Sequence, residues 1–240
     1  MTVKAVLFDL FDTLIIIRKN HDFYSPSLMR TYQFLKTNGM NVEFEVFERA
    51  YNQARDDLYT KANPNLEEPH FNLRIAQTLE NLGFIDIANS QIVQAASSEF
   101  CDEFVKYVYI DESAQNILNY LKEKYKLGII SNFAIPECVD RLLQSHQLIS
   151  LFDVILISAA VNKRKPSPEI FEKASNTLQV LPSETVFVGD TLDADIDGAK
   201  SAGMKAIYIE RKVESTADHA TPDKRIKSLT ELPSVLENLS

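Results

Sequence analysis

Five short stretches, VKAVLFD at 3–9, KLGIISN at 126–132, FDVILIS at 152–158, ETVFVGD at 184–190 and MKAIYIE at 204–210, are almost continuously apolar and rich in β-branched residues. Lack of alternation is the pattern of strands buried on both faces, as in a parallel sheet covered by helices. Between them, apolar residues return at helical spacing, and the pattern predicts helices over 112–125, 135–148 and 167–180, the last opening on Ser-Pro. From about residue 105 onward strand and helix alternate, which predicts an α/β fold with a parallel sheet. The tail, 211–240, begins polar and ends in LTELPSVLENL, a short helix expected to pack on the sheet.

Residues 18–104 follow a different pattern. Four amphipathic helices are predicted there, over 25–39, 44–62, 69–83 and 89–108, and no strand. They read as a helical module inserted after the first strand, with borders near 17 and 105, leaving 1–17 and 105–240 as the sheet-bearing part. Tyr24, Tyr32, Phe34, Phe44 and Phe47 lie at helical spacing and are expected to form the module's own core.

Composition narrows the class. At 240 residues, 45% hydrophobic and 25% charged, the chain can bury a sizeable core as one large domain or two smaller ones. A net charge of −9 disfavours nucleic acid and anionic membrane surfaces as partners. A small anionic substrate held by a metal and one lysine remains compatible with it. Cys101 and Cys138 are far apart and form no C-x-x-C pair, so neither a disulfide framework nor a thiolate metal site is indicated, which fits a reducing compartment. Lys4 interrupts the first apolar run, so no signal peptide is read, and Leu14–Ile17 is too short to span a bilayer. The expectation is a soluble cytoplasmic protein of unspecified oligomeric state.

Chemistry collects at the strand ends. The first strand ends at Asp9, the second at Ser131-Asn132, and the fourth at Gly189-Asp190, followed by Asp193, Asp195 and Asp197; Lys165 follows the third. In a parallel sheet all carboxyl ends lie on one edge, where ligands bind. The set suits phosphoryl transfer. Asp9 and Asp190 can hold Mg²⁺, a hard cation that prefers oxygen, with Asp195 helping directly or through water. Ser131 and Lys165 can bind phosphate oxygens while Asp9 attacks phosphorus. Each feature also has a plainer reading: aspartates complementing a helix start, Ser131-Asn132 as a turn or cap, and Lys163-Arg164-Lys165 as a solvated basic loop. His21, His70, His146 and His219 form no spaced cluster and read as surface residues.

VLFDLFDTL, GIISNF, KRKPSPEIF and VFVGDTLDADIDGAKSAGM, in this order, resemble the haloacid dehalogenase-like hydrolases, in the branch with a helical cap after the first strand. The resemblance covers nearly the whole chain. It implies a Rossmann-like core with a mobile cap over 18–104, and a Mg²⁺-dependent phosphatase acting on a small phosphate ester. It carries over Asp9 as nucleophile, Ser131 and Lys165 as phosphate contacts, Thr13 and Asn132 as substrate-binding residues, and Asp190 with Asp195 as metal residues. The main-chain carbonyl of Phe11 would be a further metal ligand.

The first motif departs from the phosphatase pattern, which resembles D-x-D. Here it reads Asp9-Leu10-Phe11, and Phe11 cannot move a proton. General acid–base help is worth about 10²–10⁴-fold, so its absence should be visible. Asp12 is one residue too late, although an irregular turn could swing it in. Two alternatives follow. Metal-independent 2-haloacid dehalogenases also lack the second aspartate, although Gly189-Asp190 with Asp195 is the Mg²⁺ type of fourth motif, and their cap arginine motif has no clear match, Arg49, Arg55 and Arg74 being candidates by charge alone. The other alternative is a fold kept for binding, with catalysis weakened or lost.

Overall fold

The computed structural model describes residues 2–18, 22–211 and 219–239. Its main sheet holds six strands: β1 (Ala5–Phe8), β4 (Lys126–Ser131), β5 (Val154–Ile157), β6 (Thr185–Gly189), β7 (Lys205–Ile209) and β8 (Lys224–Ile226). A separate two-stranded ribbon pairs β2 (Ile15–Ile17) with β3 (Val108–Ile110), antiparallel. The main sheet runs β5-β4-β1-β6-β7-β8 and every pairing in it is parallel.

Both faces are covered, as the unbroken apolar runs require. Val6 and Phe8 point into one core, which includes Leu118 and Leu121 of α6 (Ala114–Lys122), Val139 and Leu142 of α7 (Pro136–Ser145), and Leu232 and Leu236 of α11 (Leu232–Glu237). Ala5 and Leu7 point into the other, with Phe171, Ala174 and Leu178 of α9 (Pro168–Leu178) and Ala199 of α10 (Gly198–Ser201). A single turn, α8 (Ser158–Val161), follows β5. The α/β expectation therefore describes the molecule.

The insert holds α1 (Tyr24–Thr37), α2 (Phe44–Ala62), α3 (Phe71–Asn81), the single turn α4 (Ile85–Ala88) and α5 (Ile92–Phe104). Tyr32 and Phe47 are buried in it, with Tyr24, Phe34 and Phe44 packed around them. His21 lies outside the described residues. The sequence pattern misplaced two things here. The helix expected over 89–108 stops at Phe104, and after a tight turn Val108–Ile110 becomes β3. The polar tail also contributes β8, a sixth parallel strand on β7. Runs of three residues are too short to show any period, so only their pairing partners define them.

Register positions the working edge. Phe8 lies level with Ile129 of β4 and Val188 of β6. The next residues along these three strands are therefore neighbours at the carboxyl edge, where the chain runs outward on either side of β1.

Candidate active site

Asp9 continues the ladder, its N–H donating to Val188 O at 2.9 Å. Its carboxylate is met by Lys165, whose Nζ donates to Asp9 Oδ1 at 2.6 Å and to Asp195 Oδ1 at 2.7 Å. Lys165 is only 3% exposed, so it is no solvated loop residue. Burial works against its charge, but Asp195 and Asp9 together hold its pKa above the ordinary lysine value. For Asp9 burial dominates: it pushes the carboxyl up to about 6, with Lys165 opposing and Asp195 adding to the rise.

Asp195 reaches the strand edge because residues Leu192–Asp197 form a π-helical turn, a widened coil often found at functional sites. Its Oδ2 accepts from Thr191 N at 2.9 Å and Thr191 Oγ1 at 2.8 Å. Gly189 makes the space, since a Cβ there would collide with the Asp195 carboxylate. Oxygens of Asp9, Asp190 and Asp195 all lie within 4.8 Å of one another, and all three residues are buried. Three buried carboxylates gathered this closely offer the oxygen ligands that a hard divalent cation such as Mg²⁺ prefers. Asp193 and Asp197 are not part of this group. Asp193 Oδ1 accepts from Ala194 N at 2.8 Å, and Asp197 binds the tail through His219 Nδ1 at 2.8 Å and Ala220 N at 2.6 Å.

Among the described residues, two fully buried hydroxyls have no hydrogen-bond partner: Thr13 Oγ1 and Ser131 Oγ. A buried hydroxyl without a partner is costly, and an anionic ligand's oxygens would satisfy both. Asn132 ties two loops together. Its Nδ2 donates to Lys165 O at 2.9 Å and its Oδ1 accepts from Lys165 N at 2.8 Å, fastening the Lys165 loop to the loop after β4.

Phe11 contributes no polar side-chain group. Its ring packs on Phe133 at 4.9 Å and edge-on to Phe104 at 5.5 Å, linking the catalytic-edge loop to the last helix of the insert. Asp12 is tied into the turn that leads to the ribbon. It takes a left-handed backbone (φ 58°), which aspartate tolerates, and its Oδ1 accepts from Ile17 N at 3.0 Å in the ribbon. Arg211 locks this turn, donating to Asp12 O at 3.0 Å and Thr13 O at 3.1 Å while pairing with Asp111 at 2.6 Å.

Several contacts join the insert to this edge. Arg164 donates to Asn63 Oδ1 at 2.7 Å and to Glu67 O at 2.5 Å, Lys163 to Asn65 O at 2.9 Å, and Phe71 N to Ala134 O at 2.9 Å. His70, read as incidental from sequence, caps α3 by accepting from Asn72 N and reaches Glu137 at 3.2 Å. Of the three arginines considered for the dehalogenase reading, Arg49 is exposed and Arg55 pairs with Asp56. Arg74 is buried against Tyr51, Tyr59 and Phe71, donating to the hydroxyls of Tyr24 and Tyr51 at 3.2 and 2.9 Å. The side-chain partners named here for Asn132, Arg164 and Arg211 lie far away in sequence, so no local pattern could have revealed them.

Comparison with known proteins agrees with the geometry. The family model described as haloacid dehalogenase-like hydrolase matches residues 6–209. The chain is 28% identical over 241 residues to a glyceraldehyde 3-phosphate phosphatase of Pyrococcus furiosus, covering 99% of this chain and 93% of that protein. It is 28% identical over 142 residues to the N-acylneuraminate-9-phosphatase of Homo sapiens, covering 56% of this chain and 55% of that one. Among solved structures, a 2-haloacid dehalogenase from Pseudomonas syringae pv. Tomato DC3000 superposes with a TM-score of 0.79 at 25% identity over the full length of both chains. Among the described residues no helix is long and apolar enough to cross a membrane.

Proposed function

The chain belongs to the haloacid dehalogenase-like hydrolases, and from that membership we propose that it is a Mg²⁺-dependent phosphatase of small phosphate esters, working through an aspartyl-phosphate on Asp9. The observation that carries this reading is the buried group of Asp9, Asp190 and Asp195 around Lys165, with Ser131 and Thr13 hydroxyls unsatisfied beside it. Phosphatase relatives support the substrate class.

Asp9, Asp190 and the Phe11 carbonyl would hold the metal, with Asp195 helping directly or through water while it orients Lys165. When bound, Mg²⁺ would offset charge on the phosphoryl oxygens and on the Asp9 carboxylate. Lys165, Ser131 and Thr13 bind the phosphoryl oxygens. Asp9 attacks phosphorus, a new O–P bond forms, and the ester oxygen departs with its electron pair. Water then cleaves the acylphosphate at phosphorus and returns the carboxylate. Phe11 gives the departing oxygen no proton, so that proton comes from solvent or bound water. Residues 18–104 serve as a cap that closes over this edge and excludes bulk water.

Release of phosphate from p-nitrophenyl phosphate, with Mg²⁺, with EDTA and with Asp9→Asn, tests the reading. Turnover that needs the metal and vanishes in Asp9→Asn is expected. One observation favours a second reading: an aromatic at position 11 together with the dehalogenase superposition. That reading predicts halide release from a 2-haloacid in excess EDTA, and the carboxylate group speaks against it.

A further inference from the structure

The insert and the sheet-bearing part meet at a second place, where a side chain of α7 reaches α5. Arg141 of α7 pairs with Asp102 of α5 and donates to Ser98 Oγ at 3.2 Å. Beside this contact, Cys101 on α5 and Cys138 on α7 line one small cavity of about 110 Å³, with Ser97 and Glu137 in its wall. Both thiols are free and buried, at 1% and 0% exposure. The neighbouring Cys138 thiol and burial together hold the Cys101 thiol well above the ordinary cysteine value.

The arrangement sets the chemistry. While the two helices are together, both sulfurs are shut away from water and the Cys101 thiol is held protonated. When the insert lifts, the sulfurs enter water, and closure returns them to one small cavity. A disulfide needs sulfurs about 2.05 Å apart on Cα atoms within about 7 Å, so the bond forms by drawing the two thiols together across that cavity.

We propose that Cys101 and Cys138 are a redox modification site, converted by a small disulfide of the glutathione type into an intramolecular bond that clamps α5 to α7. In the open form the Cys101 thiolate attacks one sulfur of the reagent, whose S–S bond breaks and releases one small thiol. As the insert comes back, the Cys138 sulfur gives up its proton to water and attacks the Cys101 sulfur, the mixed disulfide breaks, and the second small thiol leaves. Two protein thiols and one small disulfide become one protein disulfide and two small thiols, which take up the two protons. The bond leaves Asp9, Lys165 and the other site residues untouched and removes the opening movement, so substrate and product no longer exchange. The opening that admits the reagent and the effect on turnover rest on the cap reading above; in mild urea the bond can form without that movement.

The test incubates the full chain with oxidised glutathione, blocks remaining thiols, and maps peptides by mass spectrometry without reduction. A Cys101–Cys138 cross-link lighter by two hydrogens, reversed by dithiothreitol, is expected. Cys101→Ala and Cys138→Ala should form none and keep the turnover of the untreated protein. The cross-linked chain should melt at a higher temperature and lose about tenfold or more of its turnover until reduced. A glutathione adduct that never resolves, or thiols that stay free even in mild urea, would overturn the site. A complete cross-link with full turnover would overturn the clamp. Mapping needs no substrate, so absence of phosphatase activity would count against the proposed function and leave this result readable.

Discussion

Phe11 occupies the place where a proton donor is expected, and its surroundings explain what it does instead. Packed between Phe133 of the sheet-bearing part and Phe104 at the end of α5, it makes an apolar wall beside Asp9. With Phe11 offering no acid and Asp12 bonded to Ile17, the proposed mechanism leaves the departing oxygen to take its proton from solvent or bound water. Aryl phosphates should therefore turn over faster than alkyl phosphates by about 10²-fold or more, the usual size of general-acid help. Equal rates across a leaving-group series would contradict this. Phe11→Asp should narrow the gap by raising alkyl rates, at a cost of about 1–3 kcal/mol from lost ring packing, read as a lower Tm. Lys165 shows a related dependence. Lys165→Met would leave the Asp9 and Asp195 carboxylates facing each other unshielded. Turnover should fall by about 10²-fold or more, with Tm retained in excess Mg²⁺ and lowered in EDTA.

At the scale of elements, two loops from different strands act as one piece because Asn132 bonds both main-chain groups of Lys165. Removing it frees the Lys165 loop, which the insert also holds through Lys163 and Arg164. Asn132→Ala should lower kcat by about tenfold to a hundredfold, as expected for losing hydrogen bonds worth about 0.5–1.5 kcal/mol each that position a charged group. Mg²⁺-induced stabilisation should persist, which separates a positioning role from loss of the metal site. Parts of the fold were legible in sequence because they follow local rules. Five strands showed unbroken apolar runs, and α2 was read to its exact ends because Asn63-Pro64 stops it. The edge carrying Asp9, Ser131, Lys165 and Asp190 was also legible, since parallel strands place their carboxyl ends together. β2, β3 and β8 were not, because three residues carry no period and their partners lie far along the chain. The clasp of Arg211 across Asp12, Thr13 and Asp111 was hidden for the same reason.

Across the whole molecule, the net charge of −9 and the buried carboxylates act in one direction, favouring a bound divalent cation. A cation that binds only the folded form stabilises it by mass action, by about 2.7 kcal/mol at a hundredfold excess over its dissociation constant. In a chain of this size that is a rise in Tm of roughly 5–10 °C. Mg²⁺ should produce such a rise, and Asp190→Asn should remove most of it. The rise should also depend on pH in a definite sense. Without metal, Asp9 takes up its proton near pH 6, well above the ordinary aspartate value, because burial outweighs the pull of Lys165. Below that pH the cation must displace a proton, so its apparent affinity should fall about tenfold per pH unit from 6 downward, and binding should release protons to buffer. Above it the carboxylate is already charged, and the affinity should level off. Titration calorimetry in buffers of different ionisation enthalpy reads the released protons directly. A pH-independent affinity from 5 to 8 would mean that Asp9 is not among the groups that hold the cation.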